Sequence, residues 1–150
     1  VIDADALMLL RAGELAPGRP APVILTPHEG ELAALEQAFG LSSVGSKQDR
    51  ALALARKTGA VVIAKGPDSV VAGPDGRLAL APRASSWLST AGTGDVLAGA
   101  VASRLAVGQH AFFGACEGLW MQGEAARLSG ATFTAGQLAE ALQSAYAACL

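Results

Sequence analysis

Four consecutive apolar residues, Val61-Val62-Ile63-Ala64, make the most strand-like stretch of the chain. A short run without a polar position is what a strand covered on both faces requires. Val23-Ile24-Leu25-Thr26 has the same character and stops at Pro27. Two stretches of helical character lie between them. The first covers 29–39, and its acidic opening, Glu29 and Glu31, suits the positive end of a helix. The second covers 46–58, with Ser46 as cap, Asp49 three places on and Gly59 as its stop. Its apolar face is Ala51, Leu52, Leu54 and Ala55. Strand, helix and strand at this spacing predict a parallel crossover.

The flanks extend this frame. Val1 to Asp3 reads as the end of another buried strand. A helix over 4–12 follows, with Gly13 as its C-cap, and then a loop over 15–22 carrying three prolines. Downstream, Val70-Val71-Ala72 and Leu78-Ala79-Leu80 flank Gly73-Pro74-Asp75-Gly76. Asp-Gly between apolar runs predicts a hairpin, here an antiparallel pair on the edge of the parallel sheet. The rest reads as helix: 96–107 with Gly99 at a close contact, 111–128, and 138–149 behind a Thr134–Gln137 capping box. The expected fold class is therefore α/β: a mostly parallel sheet flanked by helices, with an edge hairpin and a helical C-terminal part.

Composition narrows the function classes. A net charge of −2 gives no general nucleic-acid surface. No apolar run reaches the roughly 18 residues of a membrane span. Cys116 and Cys149 are far apart and lack metal-like spacing. Cys116 reads as a small core residue, and a reduced cytoplasmic setting is expected. The 150 residues make one domain. The chain opens on Val1 inside a strand, so residues 1–150 read as the C-terminal portion of a larger domain.

The chemistry centres on Ser89-Thr90-Ala91-Gly92-Thr93-Gly94-Asp95, which runs into an apolar helix. Gly92 and Gly94 permit a tight turn and close approach of a ligand. The helix, expected to start near Gly94 or Asp95, directs free N–H groups at the loop, so Ala91, Gly92, Thr93 and Gly94 form a candidate anion hole. Asp95 either takes a proton from a hydroxyl beside a bound phosphate or caps the helix. Lys65-Gly66-Pro67-Asp68-Ser69 follows the best strand, where ligands of open α/β sheets bind. Lys65 either meets a nucleotide phosphate or snorkels at the sheet edge. His28 follows another strand end, either facing a substrate or lying in solvent. Asp3 and Asp5, in strand geometry, share a face and would support Mg²⁺ through water; alternatively Asp5 caps a helix. Trp87 lies in the loop before the anion hole, and His110 reads as an ordinary residue before a helix.

Four segments together carry a resemblance: Val1-Ile2-Asp3-Ala4-Asp5-Ala6-Leu7, Leu25-Thr26-Pro27-His28-Glu29-Gly30-Glu31, Lys65-Gly66-Pro67-Asp68-Ser69 and Gly92-Thr93-Gly94-Asp95. In this order and spacing the chain resembles the NAD(P)H-hydrate dehydratase family of the ribokinase-like superfamily. The resemblance implies Asp95 as catalytic base and, with His28, as part of the hydrated-nicotinamide site. It implies Lys65, Gly66, Pro67, Asp68, Ser69 and Gly94 as the adenine-nucleotide segment, and Glu31 as a water-mediated member of a metal–phosphate network. The cofactor implied is Mg²⁺, and the substrates are hydrated NADH or NADPH with ADP or ATP as phosphoryl donor. Homo-oligomers, and fusion behind an epimerase domain, also accompany this family. Ser69 stands for the commoner Thr, Glu29 where a Pro or small residue is frequent, and Ala91 where a Gly is frequent. Two further readings stand beside it, a vitamin-precursor kinase of the same superfamily and a non-catalytic nucleotide-binding remnant.

Overall fold

The computed structural model describes residues 1–15 and 18–148, so Cys149 and residues 16–17 of the expected loop lie outside the described residues. Its sheet has four strands in the spatial order β1 (Ile24–Leu25), β2 (Val61–Ala64), β3 (Val70–Ala72) and β4 (Leu78–Leu80). β1 and β2 are parallel, with Ile24 opposite Val61 and Leu25 opposite Val62. Ile2 prolongs the parallel side by a bridge to Leu25, its N–H donating to Ile24 O at 2.9 Å. β3 runs antiparallel to both β2 and β4, so the sheet is mixed and the expected hairpin forms its far edge. The crossover between β1 and β2 contains α2 (Glu29–Phe39) and α3 (Lys47–Thr58).

The unbroken apolar run of β2 has a direct cause in the layers. Alternate side chains of a strand face opposite ways. Val62 and Ala64 join Leu25, Leu32, Leu35, Phe39 and Leu54 in one core under α2 and α3. Val61 and Ile63 join Ile24, Val71, Leu97, Val101 and Phe112 in the other core. That second face is covered by α4 (Thr93–Ala106) and α5 (Ala111–Ser129). α6 (Ala135–Ala147) closes a smaller cluster with α5 through Ala125, Phe133, Leu138 and Ala145. The expected capping box at Thr134 and Gln137 is present. Among the described residues no helix is long and apolar enough to cross a membrane.

Three local expectations are corrected. α1 is only Asp5–Leu9, not 4–12. Arg11 ends it: its guanidinium donates to Met8 O (2.8 Å) and Leu10 O (2.9 Å), and its own N–H goes to the Glu14 carboxylate (2.6 Å) rather than to a helix carbonyl. Gly99 makes no close contact; a Cβ there would meet nothing within 4 Å. The close approach of α4 and α5 is instead at Gly118, where a Cβ would lie 2.6 Å from Val101 Cγ2 and 2.9 Å from Val101 Cα and N. Finally, His110 is more than a bystander, since its Nδ1 accepts the Phe112 N–H (3.3 Å) and caps α5. Cys116 is part-buried in the second core, and burial pushes its thiol pKa up.

α2 and α3 are fastened by a buried ion pair. Arg50 donates to both oxygens of the fully buried Glu36, at 2.8 and 2.9 Å, and also pairs with Glu29. Burial pushes the Glu36 carboxyl up, but hydrogen bonds from Arg50 and Ser43 outweigh this and hold its pKa below the ordinary value.

Candidate active site

Parallel strands end at one edge, and this brings distant residues together. Asp3 follows the Ile2 bridge, Thr26 follows β1 and Lys65 follows β2. Asp3 Oδ1 accepts the Thr26 hydroxyl at 2.6 Å and the Lys65 ammonium at 2.9 Å. Lys65 N–H donates to Pro27 O at 2.8 Å, tying the two strand ends together. Burial pushes the Asp3 carboxyl up, yet the Thr26 and Lys65 hydrogen bonds leave its pKa below the ordinary value. Asp3 and Lys65 side chains are 13% and 21% exposed, so the pair is screened from bulk water but reachable by a ligand. Ala4, next in sequence, adopts φ 50°, which turns the chain sharply into α1.

That turn separates Asp3 from Asp5. Asp5 lies exposed in the first turn of α1, and the N-cap is Ala4, without a side-chain bond. The expected same-face pair of carboxylates therefore does not form, and Asp5 does not cap the helix. Among the described residues no group of three or more His, Cys, Asp or Glu gathers to hold a metal ion.

The first turn of α4 faces this edge. A Cβ at Gly94 would lie 3.5 Å from Lys65 Nζ and 3.6 Å from Asp3 Oδ2. Gly92, at φ +86°, is the N-cap, and a Cβ there would also approach Ala135 Cβ to 3.0 Å. Thr93 is buried; its hydroxyl is shared between Leu88 O (2.6 Å) and Thr90 O (2.8 Å), which fixes the loop preceding the helix. Gln122 Nε2, from α5, donates to Thr93 O at 2.7 Å. The backbone N–H groups of Gly94 and Asp95 meet no acceptor among the described residues. The helix begins at Thr93, one residue earlier than expected, and Asp95 is its third residue. Asp95 is exposed and makes no hydrogen bond or ion pair with any described residue, so it does not cap the helix.

His28 sits at the same edge, beyond β1. Its Nδ1 accepts the N–H groups of Gly30 (3.0 Å) and Glu31 (3.1 Å), making it the N-cap of α2. With Nδ1 an acceptor, the proton of the neutral ring sits on Nε2. Glu31 completes the capping box by accepting the His28 N–H at 2.7 Å, and its other oxygen lies 3.4 Å from His28 Nε2. Glu31 is thus engaged with the helix start.

Lys65 to Ser69 forms a closed turn. The Ser69 hydroxyl donates to Gly66 O (2.8 Å) and accepts Gly66 N–H (3.0 Å). Pro67 and Asp68 are exposed, and Asp68 pairs with Lys47. The space above Gly66 is taken by Lys47, whose Nζ would lie 2.5 Å from a Cβ at that position. Trp87 is 43% exposed in a short 3₁₀ turn over Ser86–Ser89, ahead of the loop over 90–92. Sequence reasoning missed Thr26, Lys47 and Gln122. The first two follow from strand ends and helix starts meeting at one edge; Gln122 is marked only by being polar on the otherwise apolar buried face of α5.

A layered α/β fold whose glycine-bounded helix start faces a lysine at the carboxyl edge defines a ribokinase-like protein. The same architecture occurs in a ribokinase-like superfamily protein of Enterococcus faecalis (TM-score 0.80, 21% identity, 95% of this chain and 50% of that chain). The chain belongs to the NAD(P)H-hydrate dehydratase family, which matches residues 1–147. It is 41% identical over 128 residues to the ADP-dependent (S)-NAD(P)H-hydrate dehydratase of Xanthomonas campestris pv. campestris, covering 83% of this chain and 44% of the relative. It is 46% identical over 110 residues to the bifunctional NAD(P)H-hydrate repair enzyme Nnr of Mycobacterium tuberculosis, covering 72% of this chain and 22% of that protein. The ADP/ATP-dependent NAD(P)H-hydrate dehydratase of Bacillus subtilis, co-crystallised with ATP/Mg²⁺ and soaked with CoA, superposes with TM-score 0.82 at 28% identity over 97% of this chain. The chain spans 54% of that structure, and about half or less of the length of the curated relatives it matches.

Proposed function

We propose that this chain carries the phosphoryl-binding cradle and the proton acceptor of a nucleotide-dependent NAD(P)H-hydrate dehydratase. The observation that carries the reading is the meeting of Gly94, Lys65 and Asp3 at one sheet edge, with Asp95, next in sequence after Gly94, exposed and without a bond to any described residue. Family membership supplies the substrate class, hydrated NADH or NADPH. ADP or ATP is the donor, in keeping with the relatives' names.

Hydroxide is a poor leaving group, and phosphorylation cures this. The ring hydroxyl attacks the terminal phosphorus of the nucleotide, and the bond to the bridging oxygen breaks. Asp95 takes the hydroxyl proton as the attack proceeds. The N–H groups of Gly94 and Asp95 and the Lys65 ammonium hold charge on the transferring group. Lys65 is neutralised by Asp3 until the phosphate arrives, so the cation is held in place without strongly attracting other anions. Phosphate then leaves with the carbon–oxygen electron pair, a proton is lost from the neighbouring ring carbon, and the double bond returns. His28 offers its Nε2–H to the substrate from a ring fixed by its capping bonds.

Mg²⁺ fits here as a companion of the nucleotide rather than as an ion caged by protein. Such an ion keeps waters and phosphate oxygens and needs only one or two carboxylates. Asp3 and Glu31 would meet such an ion through water while keeping their bonds to Lys65 and to the start of α2, and the ion would neutralise phosphate charge. The test is recovery of reduced-nicotinamide absorbance from hydrated NADH with Mg²⁺ and ADP, ATP or neither. It is run on this chain and on any longer reading frame that contains it. Nucleotide-dependent recovery is expected. A stable phosphorylated product without recovery would indicate a kinase instead.

A further inference from the structure

The buried face of α5 is built from Ala115, Gly118, Met121, Ala125 and Ala126, and Gln122 is the polar side chain among them. An amide in such surroundings destabilises the fold if its hydrogen bonds go unmade. Gln122 is 6% exposed, and its Nε2 reaches Thr93 O at 2.7 Å. That carbonyl belongs to the same peptide unit as the Gly94 N–H. The peptide is trans, so the N–H points away from the carbonyl. As the first residue of α4, Thr93 directs that carbonyl along the helix and the Gly94 N–H toward its N-terminal end, and the Gln122 amide adds a second anchor to the same peptide. Gly94 is the residue that lies against Lys65 and Asp3. A donor on the carbonyl also polarises the peptide, strengthening the N–H as a donor by about 10–30%. The Thr93 hydroxyl bonds to Leu88 O and Thr90 O fix the same residue from its other side. Joining α4 to α5 does not itself call for an amide, because Gly118 and Val101 already bring the two helices into contact.

We propose that Gln122 is a positioning residue of the anion cradle, fixing the Thr93–Gly94 peptide so that the Gly94 N–H faces a bound phosphoryl group. The proposal rests on the reading of 91–94 as a phosphoryl site. Three variants of the full-length protein separate this from a packing role. Gln122→Met keeps the length and loses the donor. Gln122→Glu keeps the shape and sets a carboxylate against the Thr93 oxygen. Gln122→His restores a ring N–H. Calorimetry measures binding of ADP and of adenosine, and glycine-selective ¹⁵N labelling reports the Gly94 amide proton in the free protein. The Met and Glu variants should lose about tenfold in ADP affinity with adenosine affinity unchanged. They should also move the Gly94 amide proton upfield, and the His variant should recover most of both effects. Equal weakening of ADP and adenosine, or an unmoved Gly94 resonance, would overturn the proposal. If the unmodified protein binds no ADP, the nucleotide reading fails separately, and the Gly94 resonance still decides the role of Gln122.

Discussion

Placing a methyl group at residue 118 tests how tightly α4 is seated against α5. In Gly118→Ala the new Cβ would lie 2.6 Å from Val101 Cγ2 and 2.9 Å from Val101 Cα and N. The side-chain contact alone could be relieved by rotation, but the backbone contacts cannot. α4 must shift as a body by several tenths of an ångström or more. Overpacking of this kind costs about 1–3 kcal/mol, and a backbone obstacle puts it at the upper end. Replacing Gly by Ala inside a helix returns about 1 kcal/mol. The net expectation is a loss of about 2 kcal/mol, or about 4–8 °C in Tm for a domain of this size. Gly123 lies on the same helix, and a Cβ there would meet nothing within 4 Å. Gly123→Ala should therefore gain up to about 1 kcal/mol from propensity alone. Urea denaturation of the two variants beside the parent gives both values. Two variants of equal stability would refute the packing argument, because only the predicted contact separates them.

Other consequences are equally direct. Asp95→Asn should lower turnover by about a hundredfold to ten-thousandfold while ADP affinity by calorimetry is preserved; near-full turnover would remove Asp95 from the proton-acceptor role. Arg50→Met leaves the fully buried Glu36 carboxylate unpaired and should destabilise by about 3–5 kcal/mol in urea melts at neutral pH. Asp3 and Glu36 both have pKa values below the ordinary carboxylate range in the folded chain. Their contribution is therefore fully present above the unfolded value near 4 and is lost as pH falls through the folded values. The urea midpoint should drop with acidification below about pH 4, and less steeply in Asp3→Asn. Lys65→Met should weaken ADP binding and raise the Asp3 pKa, which carboxyl NMR reads directly; an unmoved Asp3 resonance would show that the pair does not persist in solution.

The sequence made the frame legible because the frame depends on local patterns. The apolar run of β2, the Asp-Gly turn, the Ser46 and Thr134 caps and the αL stop at Gly59 all act within a few residues. What remained hidden depends on contacts between distant residues. Lys65 was visible as a cation after a strand, but its partner Asp3 is 62 positions away. Asp3 itself was misread with Asp5, because strand alternation fails where Ala4 turns at φ 50°. Gly66 suggests close approach of a ligand, and no local pattern shows that the tip of Lys47, from α3, lies beside it. α1 ended early through Arg11, a side chain competing with the helix for carbonyls. Gln122 and Gly118 carried no signal beyond being odd residues for their positions on α5; their reasons lie on α4.

If the ring hydroxyl is phosphorylated before it leaves, its oxygen must end in phosphate and not in water. Hydrated NADH carrying a heavy-oxygen label in that hydroxyl is turned over by the full-length protein with Mg²⁺ and nucleotide. The inorganic phosphate is then examined by ³¹P NMR and mass spectrometry. Transfer through the cradle at 91–94 predicts one labelled oxygen in each phosphate released. Label recovered in water, with unlabelled phosphate, would contradict the account and would mean that nucleotide hydrolysis and dehydration are separate events.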